Sequence, residues 1–412
     1  MLQSCMTKLT KILPTELQVG MYVSELDRPW LETPFLFQGF RIDSEHDIEQ
    51  IRQVCRYVYI DELKSDLSAP LPRDRDREPP ARCKRRSYDI RRAAEQELEV
   101  AHREYHAGLD SVAQMLQSIQ HTTTFDSTLI RRHVKQCTQS IIRNPAAMMW
   151  LSRIKHADNY TAEHCLNVGI LAISLGRHLG LEQHELEQLG LCGILHDVGK
   201  MLVDPEILHK TGALTPQEFE QIKQHPVHAR SILETDPSLP GSVLEAAYSH
   251  HERIDGGGYP EALEASRLDL LTRIITVVDA YDAMTSNRCY SKARPVSEAL
   301  KILYKNRDTQ FDAEVTIKFI ECIGIYPPGC IVEMDSGEVG FVINNNPQQR
   351  LLPRVALLLD SDKQPMTQHI HDLAGQGNNN PEGMHIRAVL PDGAHGLSLE
   401  EYTGANIRMQ HQ

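Results

Sequence analysis

The feature that most limits how this chain can fold is a run of helical periodicity from residue 89 to residue 322. Up to Pro145 the run is rich in Ala, Glu, Leu and Arg and holds no proline. Beyond it, residues 162–179 and 186–195 carry apolar side chains at helical spacing. Gly and Pro punctuate the connections, at Thr211-Gly212, at Pro237-Ser238-Leu239-Pro240-Gly241 and from Gly256 to Pro260. Such a pattern buries helix against helix, so a mainly α fold is predicted.

The chain has 412 residues, more than one ordinary core accommodates. Residues 1–63 read as a small α/β domain, possible seat of a regulatory input. Short β-branched and apolar segments around Val19-Gly20-Met21-Tyr22-Val23, Phe35 to Phe40 and Tyr57 to Ile60 flank a helix over 44–55 with Ser44 as N-cap. Residues 64–88 read as a charged linker, with Pro70, Pro72, Pro79 and Pro80 around alternating Arg and Asp. Residues 89–145 are predicted to be a helical connector and 146–322 the main helical domain. After Gly324, the runs 330–334, 340–343 and 354–359 are strand-like. Residues 323–412 are therefore predicted to form a small β-rich extension, with a Gly- and Asn-rich loop over 374–384.

Charge and cysteine content exclude several classes. The net charge of -13 argues against a nucleic-acid-binding surface, and the basic cluster from Arg82 to Arg92 reads as a solvated helix start. The nine cysteines form no CxxC pair, which fits a reducing cytoplasm better than a disulfide framework. No apolar run reaches the roughly 18 residues of a membrane span.

The chemistry centres on His196-Asp197-Val198-Gly199-Lys200. Alone, a His-Asp pair reads as a helix-end hydrogen bond. Here His164 precedes it on an apolar helix, and His225, the pair His250-His251 and Asp279 follow. Asp279 comes after the apolar run Ile274 to Val278, where a buried carboxylate needs a partner. Five imidazoles and two carboxylates exceed what one tetrahedral ion takes and suit two divalent ions, iron or manganese before zinc. Asp197 is the natural bridge, offering one oxygen to each. Metal pairs about 3.5–4 Å apart share a water, lower its pKa and stabilise charge on an attacked phosphate. Downstream, three glycines lead into Tyr259-Pro260, where the backbone can approach a ligand closely and Tyr259 can stack on a base or donate to a phosphate.

Together, the His196-to-Lys200 motif, His250-His251-Glu252 and Gly258-Tyr259-Pro260 resemble the HD-GYP family of the HD phosphohydrolase superfamily. The resemblance spans about residues 155–322 and includes Pro205 to Lys210, Arg273 to Asp279, Asp282 to Thr285 and Arg288-Cys289-Tyr290. Gly20 to Val23 and Arg28-Pro29-Trp30 are similar to a domain of unknown function often joined to it. The resemblance implies an all-helical HD-domain core that hydrolyses the 3′-5′ phosphodiester bonds of cyclic di-GMP to pGpG, with GMP as a further product.

It also implies that His164, His196, Asp197, His225, His250, His251 and Asp279 ligate metal. Lys200 would act with Asp197 in catalysis and reach a phosphate, and Tyr259, Asp282 and Arg288 would contact substrate. Diguanylate cyclase (GGDEF) domains docking on the Gly-Tyr-Pro loop, and a homodimer, are further implied partners. Two departures bear on this. Tyr160 stands where some relatives carry a Glu for a third metal, so two metals are expected. Ser291 follows Tyr290 where a basic residue is common, with Lys292 next, which leaves one phosphate contact open. Two other readings follow from the same residues: a catalytically weak sensor or docking module, and a phosphohydrolase acting on a mixed-base cyclic dinucleotide.

Overall fold

The computed structural model describes residues 9–27, 39–42, 44–61, 64–65, 86–122, 126–154, 160–208, 210–286, 293–346, 349–375, 384–399 and 402. The chain divides into two compact units, Met1–Lys84 and Arg85–Gln412.

In the first unit, strands β1 (Leu9–Ile12), β2 (Tyr22–Leu26), β3 (Phe40–Arg41) and β4 (Val58–Asp61) form an antiparallel sheet in the order β1-β4-β2-β3. Helix α1 (Glu45–Val54) starts at Ser44, whose hydroxyl accepts from Asp47 N while Asp47 accepts from Ser44 N. This reciprocal pair satisfies amides the first turn would otherwise orphan. Ile48 and Ile51 of the helix share a core with Val23, Val58 and Ile60 of the sheet.

The second unit is mainly helical. Its described helices are α2 (Ala94–Thr122), α3 (Thr128–Arg143), α4 (Pro145–Leu151), α5 (Tyr160–Leu179), α6 (Gln183–Leu195), α7 (Pro205–Leu208), α8 (Pro216–Ile222), α9 (His225–Leu233), α10 (Gly241–Ser249), α11 (Leu270–Thr285), α12 (Val296–Lys305) and α13 (Ala313–Ile323). Every residue of α5 from Ala162 to Gly176 is buried, so this helix is the axis of the unit rather than an amphipathic cover. Helices α2, α3, α6, α11 and α13 all pack on it. The segment expected as a connector, α2 and α3, thus lies within the same helical core. The buried Glu97 carboxylate of α2 ties that helix to α3, accepting from Arg143 Nη2 and Ser140 Oγ, each at 2.7 Å.

Strands β5 (Ile331–Met334), β6 (Val339–Asn344), β7 (Arg354–Leu359), β8 (Pro365–Asp372) and β9 (Ile386–Leu390) form an antiparallel sheet in the order β8-β7-β6-β5-β9. Ile343 and Ala356 of this sheet pack on Ala94 and Ala146, the Phe341 ring meets Trp150 at a tilt with centroids 5.3 Å apart, and Arg354 pairs with the buried Glu95 at 2.8 Å. The β-rich extension is therefore anchored to α2 and α4 by apolar contact and a charged pair. Among the described residues, no helix is long and apolar enough to cross a membrane.

Candidate metal centre

Each candidate ligand comes from a helix or a helix end. His164 lies in the first half of α5, His196-Asp197 ends α6, His225 begins α9, His250-His251 ends α10, and Asp279 is inside α11. After Asp197 the chain tightens into a 3-10 turn, Val198–Leu202. Gly199 lets that turn lie flat on the start of α9: a Cβ there would stand 2.0 Å from His225 O and 2.4 Å from Ala229 N. This close approach sets Asp197 beside His225, with Oδ1 3.3 Å from Nε2.

The donors gather into two groups, one of Asp197, His225, His250 and His251 and one of His164, His196 and Asp279. Asp197 joins them. Its Oδ1 lies 3.3 Å from His225 Nε2 and 3.7 Å from His250 Nε2, while its Oδ2 lies 3.2 Å from His196 Nε2 and 3.5 Å from His164 Nε2. Asp279 Oδ1 completes the second group, 3.1 Å from His164 Nε2.

The rings are aimed by their other nitrogens. His196 Nδ1 donates to Gly193 O at 2.7 Å, His225 Nδ1 to Ile222 O at 2.7 Å and His250 Nδ1 to Ala247 O at 3.0 Å. A carbonyl only accepts, so each Nδ1 carries the proton and the Nε2 lone pair faces the centre when the ring is neutral. His164 Nδ1 lies 2.8 Å from Asp282 Oδ2, which fixes its ring in the same sense.

Fitness for metal can be read from these side chains. His164 Nε2, His196 Nε2 and Asp197 Oδ1 are buried without a hydrogen bond of acceptable geometry. A buried polar atom left so costs about 1–3 kcal/mol, and a cation in each donor group would satisfy all three. Protons currently compete for the same place. Burial opposes charging His164 and His196, but Asp197 and Asp279, with Asp282 beside His164, outweigh it and lift these rings to about 10 and about 9. Burial pushes His250 down to about 4 and His251 well below its usual range. The carboxylates thus favour charge on the first pair, while burial opposes it on the second. Loading divalent metal is expected to expel protons and to tighten as pH rises toward 9. Calorimetry in buffers of different ionisation enthalpy should show net proton release at pH 7; release of none would contradict this arrangement.

The Gly-Tyr-Pro loop is built onto the histidine pair. Gly258 rests on the backbone of residues 251–253, where a Cβ would stand 2.4 Å from Glu252 Cα and 2.5 Å from Arg253 N. The Tyr259 ring stacks on His251 with centroids 4.8 Å apart. The buried Glu252 carboxylate accepts from Glu261 N at 2.7 Å and Leu263 N at 3.0 Å, pinning the far side of the loop.

All seven predicted ligands thus meet at one place, and Tyr259 and Lys200 meet them there. Lys200 Nζ donates to Asp197 Oδ2. Asp282, implied as a substrate contact, is buried behind His164, accepting from that ring and from Ser286 Oγ. Asp282→Asn is expected to weaken metal binding roughly 10- to 100-fold, as removal of an outer partner commonly does; equilibrium dialysis against the apo protein measures it. Arg288 and Ser291 lie outside the described residues. Tyr160 stacks its ring on His164 at 5.8 Å, and among the described residues Glu163 joins neither donor group. Glu252 and Gly199 were missed as parts of the site.

Comparison with known proteins agrees with this geometry. The HD domain family matches residues 141–315, and a domain of unknown function matches residues 9–128. A cyclic di-GMP phosphodiesterase of Pseudomonas aeruginosa is 33% identical over 373 residues, covering 90% of each chain. The chain belongs to the HD-GYP family of metal-dependent phosphodiesterases. Two further relatives match part of the chain. A cyclic di-GMP phosphodiesterase of Borreliella burgdorferi is 28% identical over 51% of this chain and 55% of its own. A 3′3′-cGAMP-specific phosphodiesterase of Vibrio cholerae is 32% identical over 41% of this chain and 36% of its own.

Proposed function

We propose that this protein hydrolyses the 3′-5′ phosphodiester bonds of cyclic di-GMP to pGpG, and onward to GMP, using two divalent ions, iron or manganese. The observation that carries the reading is Asp197, which turns one carboxylate oxygen to each of two donor groups. One ion would be held by Asp197, His225, His250 and His251, the other by His164, His196, Asp279 and Asp197. Bound there, such a pair supplies a water of lowered pKa and neutralises charge developing on the phosphate.

The chain's own residues do the rest. Helix ends and the four Nδ1 hydrogen bonds hold the donors rigid before substrate arrives. Lys200, with its side chain 22% exposed, points its ammonium at Asp197 and so stands where a phosphate oxygen beside the ions would accept from it. Tyr259 stacks on the His251 ring. Tyr160, in place of a glutamate, leaves no third acidic donor on that helix face.

A second reading is favoured by one finding, the Vibrio cholerae relative that acts on 3′3′-cGAMP. A substrate panel decides between them. Cyclic di-GMP turned over with higher kcat/KM than 3′3′-cGAMP supports the first reading; the reverse order supports the second.

A further inference from the structure

Beyond the metal ligands, one strip of side chains leads outward from His251. Tyr259 covers that ring. Lys223 Nζ then lies 5.8 Å from the Tyr259 ring centroid and 5.2 Å from that of Phe219. Phe219 is 45% exposed, so burial in the core does not account for it.

The support beneath this strip is rigid. Helix α8 begins with Pro216 and a reciprocal cap between Thr215 and Glu218, and Lys210 holds the Glu218 carboxylate at 2.7 Å. Lys223 caps the other end, its N–H donating to Phe219 O at 3.0 Å. Two residues later comes His225, a ligand. The strip is therefore coupled to the metal centre through the backbone at one end and through the Tyr259–His251 stack at the other. Lys223 donates one proton to Glu220 at 2.6 Å, and an ammonium has two more to give.

An exposed aromatic ring with an ammonium over it, at the rim of a site for an anionic diester, matches a guanine: its π face stacks, and its O6 and N7 accept. Resting on the cyclic-dinucleotide reading above, we propose that Phe219 and Lys223 form the base-binding rim of the site. A guanine would stack on the Phe219 ring, and Lys223 would donate to its O6/N7 edge.

Steady-state kinetics of the metal-loaded full chain test this. Phe219→Ala is expected to raise KM for cyclic di-GMP on the order of 10-fold or more, with kcat and metal content unchanged, because base stacking on an aromatic ring is lost. Phe219→Trp should restore KM. Lys223→Met should shrink the preference for cyclic di-GMP over cyclic di-AMP, since adenine offers no O6. A KM within twofold of wild type in Phe219→Ala, or parallel loss of kcat and metal, would overturn the proposal. Calorimetric binding of pGpG separates it from the broader reading. If wild type leaves cyclic di-GMP intact yet binds pGpG, the functional reading fails, and the rim stands or falls on whether Phe219→Ala weakens that binding tenfold. If wild type neither turns over cyclic di-GMP nor binds pGpG, both fail.

Discussion

Asp197→Asn is expected to lower kcat/KM on the order of 1,000-fold or more and to lose at least one metal equivalent. The magnitude follows from geometry. Removing an outer partner of a metal site typically costs about 10- to 100-fold, and Asp197 is not an outer partner. Its Oδ1 serves His225 and His250, and its Oδ2 serves His196 and His164. An amide keeps one oxygen and turns an NH2, which has no lone pair to give a metal, toward the other group. It also removes the negative charge that, with Asp279, lifts the His164 and His196 protonation. Those rings would then titrate lower, so the variant fails through loss of the shared oxygen rather than through proton competition. Metal content by elemental analysis and turnover by product chromatography should fall together while the circular dichroism spectrum is kept. Wild-type turnover in this variant would remove the bridge from the mechanism.

Gly199→Ala should be the most damaging change that touches no ligand. A methyl group 2.0 Å from His225 O and 2.4 Å from Ala229 N has no rotamer to adopt; the 3-10 turn must part from α9. Overpacking of this kind costs about 1–3 kcal/mol, and more where backbone is the obstacle. The displaced segment begins with His225, so stability and metal affinity should fall in the same variant. Urea unfolding gives the first and equilibrium dialysis the second. Unchanged stability with normal metal binding would show that the turn has slack the packing does not suggest.

The helical part of this protein was legible because its periodicity is long and its punctuation clear. The His/Asp cluster was legible for a different reason. Imidazoles and carboxylates placed on the apolar helices α5, α6 and α11 have no comfortable partner other than one another and a cation. Supporting groups were harder to see. Asp282 lies three residues after Asp279 on α11, so the two share a helix face; that spacing could have marked it as a partner of His164 rather than of substrate. Glu252 accepts from amides 9 and 11 residues ahead, across a loop whose shape the sequence does not dictate.

Gly199 reads as an ordinary turn residue until the carbonyl above it is in place. Strands β8 and β9 escaped for want of an apolar run. As the outer strands of their sheet they carry sequences such as Pro-Met-Thr-Gln-His-Ile-His-Asp, whose exposure alternates rather than staying buried. Strands β6 and β7, buried almost throughout, announced themselves. The helical character of residues 89–145 was equally plain, but the packing of α2 and α3 on α5 was not, since it depends on contacts between segments far apart in the chain.

The most direct test of a two-metal phosphodiesterase is elemental analysis of anaerobically prepared protein, paired with chromatography of its products from cyclic di-GMP. Two equivalents of iron or manganese together with pGpG are the expected result. Protein carrying two equivalents of metal that leaves cyclic di-GMP intact would contradict it.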